Sequence, residues 1–195
     1  MGTIKDASVV AETGTMSQQQ LRRAAGTVEE NPVRLDEEKA AEIVDALNTD
    51  LANAYVLYHQ LHKHHWNVEG AEHLPIHRWL QEAYEDVEAA ADELAERLQS
   101  IGGIPHASMT ALAAAATVEP EDEDVYDIRT SLANDLAMYG EIIEGYREHI
   151  ALAESLGDYA TSEILRHHLV TLEEHAHVIA HYLEDDSLVL ESAIQ

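Results

Sequence analysis

The chain has no cysteine and no phenylalanine, only three lysines, four prolines and nine glycines, and no apolar run of membrane-spanning length. Without cysteine there is no disulfide, no thiolate nucleophile and no cysteine-ligated zinc. The missing apolar run argues against a transmembrane helix, and the first residues lack the basic-then-apolar pattern of a secretory leader, so a cytoplasmic location is expected. Little glycine and proline beside much Ala, Leu and Glu favours helices over strands. Basic residues are scarce too: eleven Lys and Arg face thirty-eight Asp and Glu, for a formal charge of −27. Such a surface repels nucleic-acid phosphates and anionic lipid, and attracts cations. So few lysines among so many carboxylates also suits solubility in concentrated salt, which points to a halophilic source.

What is present is enough for one globular domain: 195 residues, 46% of them apolar. Residues 1–34 show no apolar periodicity, carry balanced charge and read as a flexible N-terminal tail. A long helix is expected from an Asp36 cap to about His65, with Ile43, Val44, Leu47, Leu51, Ala54, Tyr55, Tyr58 and Leu61 on its buried face. A second runs from about 76 to 101 and stops at Gly102-Gly103. A long connection follows, with a short helix at "MTALAAAA". A third helix enters through the acidic "EPEDED" and ends near Leu156; Asp158 caps a fourth that reaches about Leu190. This predicts an all-α, ferritin-like four-helix bundle over 35–190, with one long crossover, and a short tail at 191–195.

Chemistry concentrates in two places. The stretch "HKHHWNVEGAEHLPIH", residues 62–77, holds five of the thirteen histidines. On the second helix, His77, Gln81, Glu85, Glu88, Asp92 and Glu96 follow at steps of three and four, so they form one stripe. A solvated acidic face is one explanation; a site for iron, manganese or zinc is the other. Fifteen residues of helix, about 22 Å, separate His77 from Asp92, so one chain cannot bring both to one metal. An antiparallel two-fold partner can. A ferritin-type site inside one bundle needs Glu-x-x-His on two helices, and only Glu174 and His177 have that spacing.

"HHWNVEG", a histidine twelve residues on in "PIH", and "ADELAERLQSIGGIP" together resemble the Dps family of mini-ferritins, over residues 36 to about 185. The resemblance implies a hollow dodecamer that oxidises Fe(II), usually with hydrogen peroxide, between two-fold-related subunits and stores ferric mineral. It assigns His65 and His77 as ligands from one subunit and Asp92 and Glu96 from its mate, with Trp66 beside the centre to intercept radicals. Gln81 stands where the family usually has an acid, so a weaker amide ligand occupies the second iron position, unless water or Glu82 completes it. Glu85 and Glu88 become mineral-nucleating carboxylates. His168, Glu174, His177 and His181 on the fourth helix are either surface and interface residues or secondary iron sites. Glu154 and Asp158 are candidates for an acidic pore, and His59, His62, His64, His73 and His106 are taken as structural.

DNA binding is not expected, because the tail is not basic and the chain is strongly acidic. The rival readings are a non-enzymatic or DNA-compacting shell, and a shell loaded with zinc or manganese without turnover.

Overall fold

The computed structural model describes residues 21–184, which form five helices and no strand. Residues 1–20 of the tail expected at 1–34, and everything after Glu184, including 191–195, lie outside the described residues.

Helix α1 spans Glu37–Asn67, and the Asp36 carboxylate caps it by accepting from the Glu38 and Lys39 amides. Helix α2, His73–Ser100, runs back along it after the short loop 68–72. Its end is a glycine-closed turn: Gly102 takes φ 94°, and the Gly103 amide reaches back to the Leu98 carbonyl. A side chain at Gly102 would strike the Glu29 carbonyl. Helix α3, Met109–Ala115, is the short crossover helix, capped by Ser108. Helices α4, Ile128–Leu156, and α5, Tyr159–Leu183, pair through a second turn of the same kind at Gly157 (φ 83°), and Asp158 caps α5 as expected.

The core sits where the four long helices meet. Leu47, Leu51, Leu57 and Leu61 of α1 and Leu80, Leu94 and Leu98 of α2 are buried against Tyr139 and Tyr146 of α4 and Leu165 and Ile179 of α5. Each such side chain contributes about 1.5–3 kcal/mol. With no phenylalanine, the two tyrosines supply the bulk at the centre.

Three expectations change. Residues from Leu21 onward do not stand clear of the bundle. Arg23 bonds the Gly102 and Gly103 carbonyls and pairs with Glu29, and the Glu29 amide donates to the Gly102 carbonyl at 3.0 Å. The acidic run does not open the third long helix either. Asp127 caps α4, and Glu121 turns inward instead. Finally, α5 leaves helical geometry at Glu184, short of Leu190. The cap residue Glu184 is itself acidic and opposes the negative end of the helix dipole.

Candidate metal centre

His65 lies in the last turn of α1 and His77 in the second turn of α2. The loop between them folds the two helices into a corner and brings the rings face to face, 3.7 Å apart and 17° from parallel. The Nδ1–H of His65 donates to the His77 carbonyl at 2.9 Å, and the Nδ1–H of His77 donates to the His65 carbonyl at the same distance. A carbonyl has only lone pairs, so each ring carries a proton on Nδ1, and Nε2 is the ring nitrogen left for a ligand. The His65 carbonyl also belongs to the last turn of α1, where the helix offers no partner, so the His77 ring doubles as a cap. His73 closes the same corner by donating to the Val68 carbonyl at 2.8 Å.

An aromatic wall stands behind the two rings. His62 stacks on Trp66 (5.1 Å, 15°) and lies against Tyr84 at 3.8 Å and Tyr58 at 4.5 Å. Tyr84 meets His65 edge-on. Partial burial, with the neighbouring charges of His65 and His59, holds His62 below the ordinary histidine range. Trp66 is 70% exposed, a large apolar surface at the open side of the site.

Along the solvent face of α2, Gln81, Glu82, Glu85, Glu88, Asp92 and Glu96 are all exposed. Gln81 donates its amide to Glu85 at 2.8 Å. Asp92 and Glu96 stand four and five turns from His77, and among the described residues of one chain no three His, Asp or Glu side chains converge on a metal position.

Residues 44–189 match the ferritin-like domain family. The chain is 60% identical over 180 residues to the DNA protection during starvation protein of Halobacterium salinarum, covering 92% of this chain and 99% of that one. It is 41% identical to a nutrient stress-induced DNA-binding protein of Nostoc, covering 88% and 94%. The protein belongs to the Dps family. Its fold superposes on the archaeal Dps homologue from Halobacterium salinarum with TM-score 0.86 at 60% identity, covering 91% and 99% of the two chains. The Vibrio cholerae Dps protein, described as a member of a broad superfamily of ferritin-like diiron-carboxylate proteins, gives 0.75 at 28% identity, covering 83% and 99%.

Other histidines of this Dps chain are engaged elsewhere. His168 is buried and bonds Glu93 at 2.7 Å, and His175 bonds Asp86 at 2.9 Å, so His168 does not join Glu174, His177 and His181. His181 donates Nδ1–H to the His177 carbonyl at 3.0 Å, and their rings lie 4.2 Å apart. Glu154 and Asp158 are both paired within the chain. Glu154 pairs with Arg166, while Asp158 is buried and pairs with Arg97 at 2.6 Å. For Asp158, burial works against ionisation, but the bonds from Arg97 and Thr161 outweigh it and hold the carboxyl below its usual range.

A buried polar cluster surrounds His64. Its Nδ1 meets Asp135 at 2.8 Å and its Nε2 meets Glu121 at 2.6 Å, while Gln60, Lys63 and Asn134 complete both carboxylates. Burial disfavours the charged ring, yet the two carboxylates prevail and raise His64 above the ordinary range. Periodicity could not have found this cluster, because Asp135 lies 71 residues away. His64 is buried, about 100° around α1 from His65.

Proposed function

We propose that the protein is a Dps-type ferroxidase and iron store, acting as a hollow dodecamer that removes Fe(II) and hydrogen peroxide together. The supporting observation is the reciprocal lock of His65 and His77, which holds the two rings face to face, each oriented by a bond from its Nδ1 to a backbone carbonyl. Fe(II) is the substrate. It binds to His65 and His77 of one chain and to Asp92 and Glu96 of the partner subunit, with Glu96 as the bridging ligand. Two Fe(II) ions give one electron each to peroxide, the O–O bond breaks, and both oxygens leave as hydroxide or water. No hydroxyl radical is released. Carboxylates suit the ferric product, a hard cation. The ferric ions then pass to Glu85 and Glu88, where mineral nucleates. Trp66, exposed beside the rings, is the side chain placed to take up a stray oxidising equivalent.

Gln81 gives the second iron position a neutral amide in place of a carboxylate, and its NH2 already serves Glu85. That position therefore holds iron more weakly, with water or Glu82 completing it. The same donor types accept zinc or manganese, and a shell that held these without turnover is the competing reading.

Both relatives named above carry DNA in their names. For this chain the electrostatic term at neutral pH opposes DNA, because the formal charge is −27 and the tail is not basic. The same acidic surface suits concentrated salt. A gel shift at low and moderate salt that retarded DNA would overturn this part of the reading.

The deciding experiment adds Fe(II) anaerobically and then peroxide, following ferric absorbance and the iron retained on a sizing column. Fast oxidation with iron eluting in a particle of about twelve subunits is expected. Retention of zinc or manganese with no peroxide-driven oxidation of iron would favour the rival.

A further inference from the structure

Behind the proposed centre, rings from α1 and α2 form a continuous column of aromatic contacts. Tyr55, Tyr58, His62 and Trp66 follow one another along α1 at steps of three, four and four, so they share one face. Trp66 stacks on His62 with centroids 5.1 Å apart, and His62 meets Tyr84 of α2 at 3.8 Å and Tyr58 at 4.5 Å. Tyr58 meets Tyr84 edge-on at 5.9 Å and Tyr55 edge-on at 6.4 Å. From Trp66 to Tyr55 the column runs eleven residues, about 16 Å along the helix.

The column starts at the centre and leads away from it. Trp66 is exposed at the open side of the site, and Tyr84 lies edge-on to His65. All three tyrosines are half-buried, so their phenol protons have access to water. Tyr58 rests as a neutral phenol, because burial first, and then Glu88, Tyr84 and Tyr55, push its hydroxyl above the ordinary tyrosine range.

Peroxide needs two electrons, and one Fe(II) gives one. The inference rests on the ferroxidase reading, in which Gln81 leaves the second iron position weakly held. When that position is empty, a lone Fe(II) splits peroxide into hydroxide and a hydroxyl radical, and the missing electron must come from the protein. Electron transfer falls off steeply with distance, so rings in contact are the favoured path. At neutral pH a phenol that sheds its proton to water is oxidised slightly more easily than an indole. The vacancy therefore moves from tryptophan to tyrosine.

We propose that Tyr84, Tyr58 and Tyr55 are an electron relay that refills Trp66 when the centre holds a single Fe(II). The hydroxyl radical takes one electron from Trp66 and leaves as hydroxide. Across the His62 ring, Tyr84 or Tyr58 returns an electron to the indole and releases its phenol proton to water. Transfer from Tyr55 then moves the vacancy one turn further from the centre. A second Fe(II), held at α2 carboxylates such as Glu85 next to Tyr84, reduces the tyrosyl radical as a proton returns from water. The balance is still two Fe(II) and one peroxide to two Fe(III) and two hydroxides. The two iron ions need not sit together.

Freeze-quenched EPR of the assembled protein tests the relay, with a single Fe(II) per centre, excess peroxide and ring-deuterated tyrosine to assign the radical. A tyrosyl radical is expected during turnover, and deuteration should collapse its hyperfine pattern. The combined variant Tyr55→Phe, Tyr58→Phe and Tyr84→Phe keeps every ring in place. It should lose the tyrosyl signal severalfold and gain severalfold in hydroxylated Trp66 by peptide mass spectrometry. Tyr159→Phe, at an exposed ring outside the column, should change neither. Fast ferric absorbance with no tyrosyl radical, or a tyrosyl radical undiminished in the triple variant, overturns the relay and leaves the ferroxidase reading standing. No peroxide-driven iron oxidation at all overturns that reading, and the relay with it.

Discussion

Both nitrogens of His64 meet buried carboxylates, at 2.8 and 2.6 Å, whereas His65, next along α1, meets one carbonyl and leaves Nε2 bare. One residue of helix turns the side chain by about 100°, from the interior facing α4 to the corner facing α2. The same imidazole is a structural clamp in one place and a proposed ligand in the other. Its neighbours decide: carboxylates engage both nitrogens of His64 and raise its affinity for a proton, and a backbone carbonyl engages one nitrogen of His65 and leaves the other open.

Breaking His65 should have the largest effect. His65→Ala removes one Nε2 and frees the His77 ring, so peroxide-driven oxidation should fall by roughly a hundredfold or more, while the particle elutes unchanged. Stopped-flow ferric absorbance measures this, and wild-type kinetics would remove His65 from the site. His64→Leu should reverse the pattern. It removes one bond from each of the carboxylates Asp135 and Glu121 and should cost about 3 kcal/mol, a Tm loss of several degrees, with the rate per folded particle retained.

A smaller effect separates the two histidines by pH. His64 is raised when folded, so its stabilisation is complete below its unfolded value of about 6.5 and is lost as pH rises through the higher folded value. Asp135 is also raised, by burial against its bonds to His64 and Gln60, so its contribution has the same sign, and the comparison with His64→Gln isolates the histidine. Melting curves from pH 6 to 9 should therefore show wild-type Tm drifting down relative to His64→Gln. Parallel curves would mean that the clamp is not charged. The smallest effect expected is a gain: Gln81→Glu should raise Fe(II) bound per subunit in anaerobic titration by a few tenths to one. No change would place position 81 outside the centre.

The helices were legible in the sequence because their signals are local. Asp36 and Asp158 cap where the pattern says, Gly102 closes α2, and the 3.6-residue stripes mark the core. His65 and His77 were legible through their motif, although their mutual carbonyl lock was not, since it depends on the corner that the loop builds. The clamp on His64 and the bonds from His149 to Asp50 and from His168 to Glu93 were invisible for a different reason. Their partners lie about 70 to 100 residues apart and meet only after the bundle has closed. Docking of Arg23 and Glu29 on the end of α2 was missed likewise, because that segment bonds through backbone carbonyls and carries no apolar period.

Complementation tests most directly whether the centre lies between subunits. One chain would carry His65→Ala with His77→Ala, the other Asp92→Ala with Glu96→Ala, and the two would be assembled separately and together. Each parent shell should be inactive. Random mixed shells should recover roughly a quarter of the wild-type rate, since a complete site then needs histidines from one parent and carboxylates from the other across the two-fold. Mixed shells as inactive as their parents would contradict the shared site.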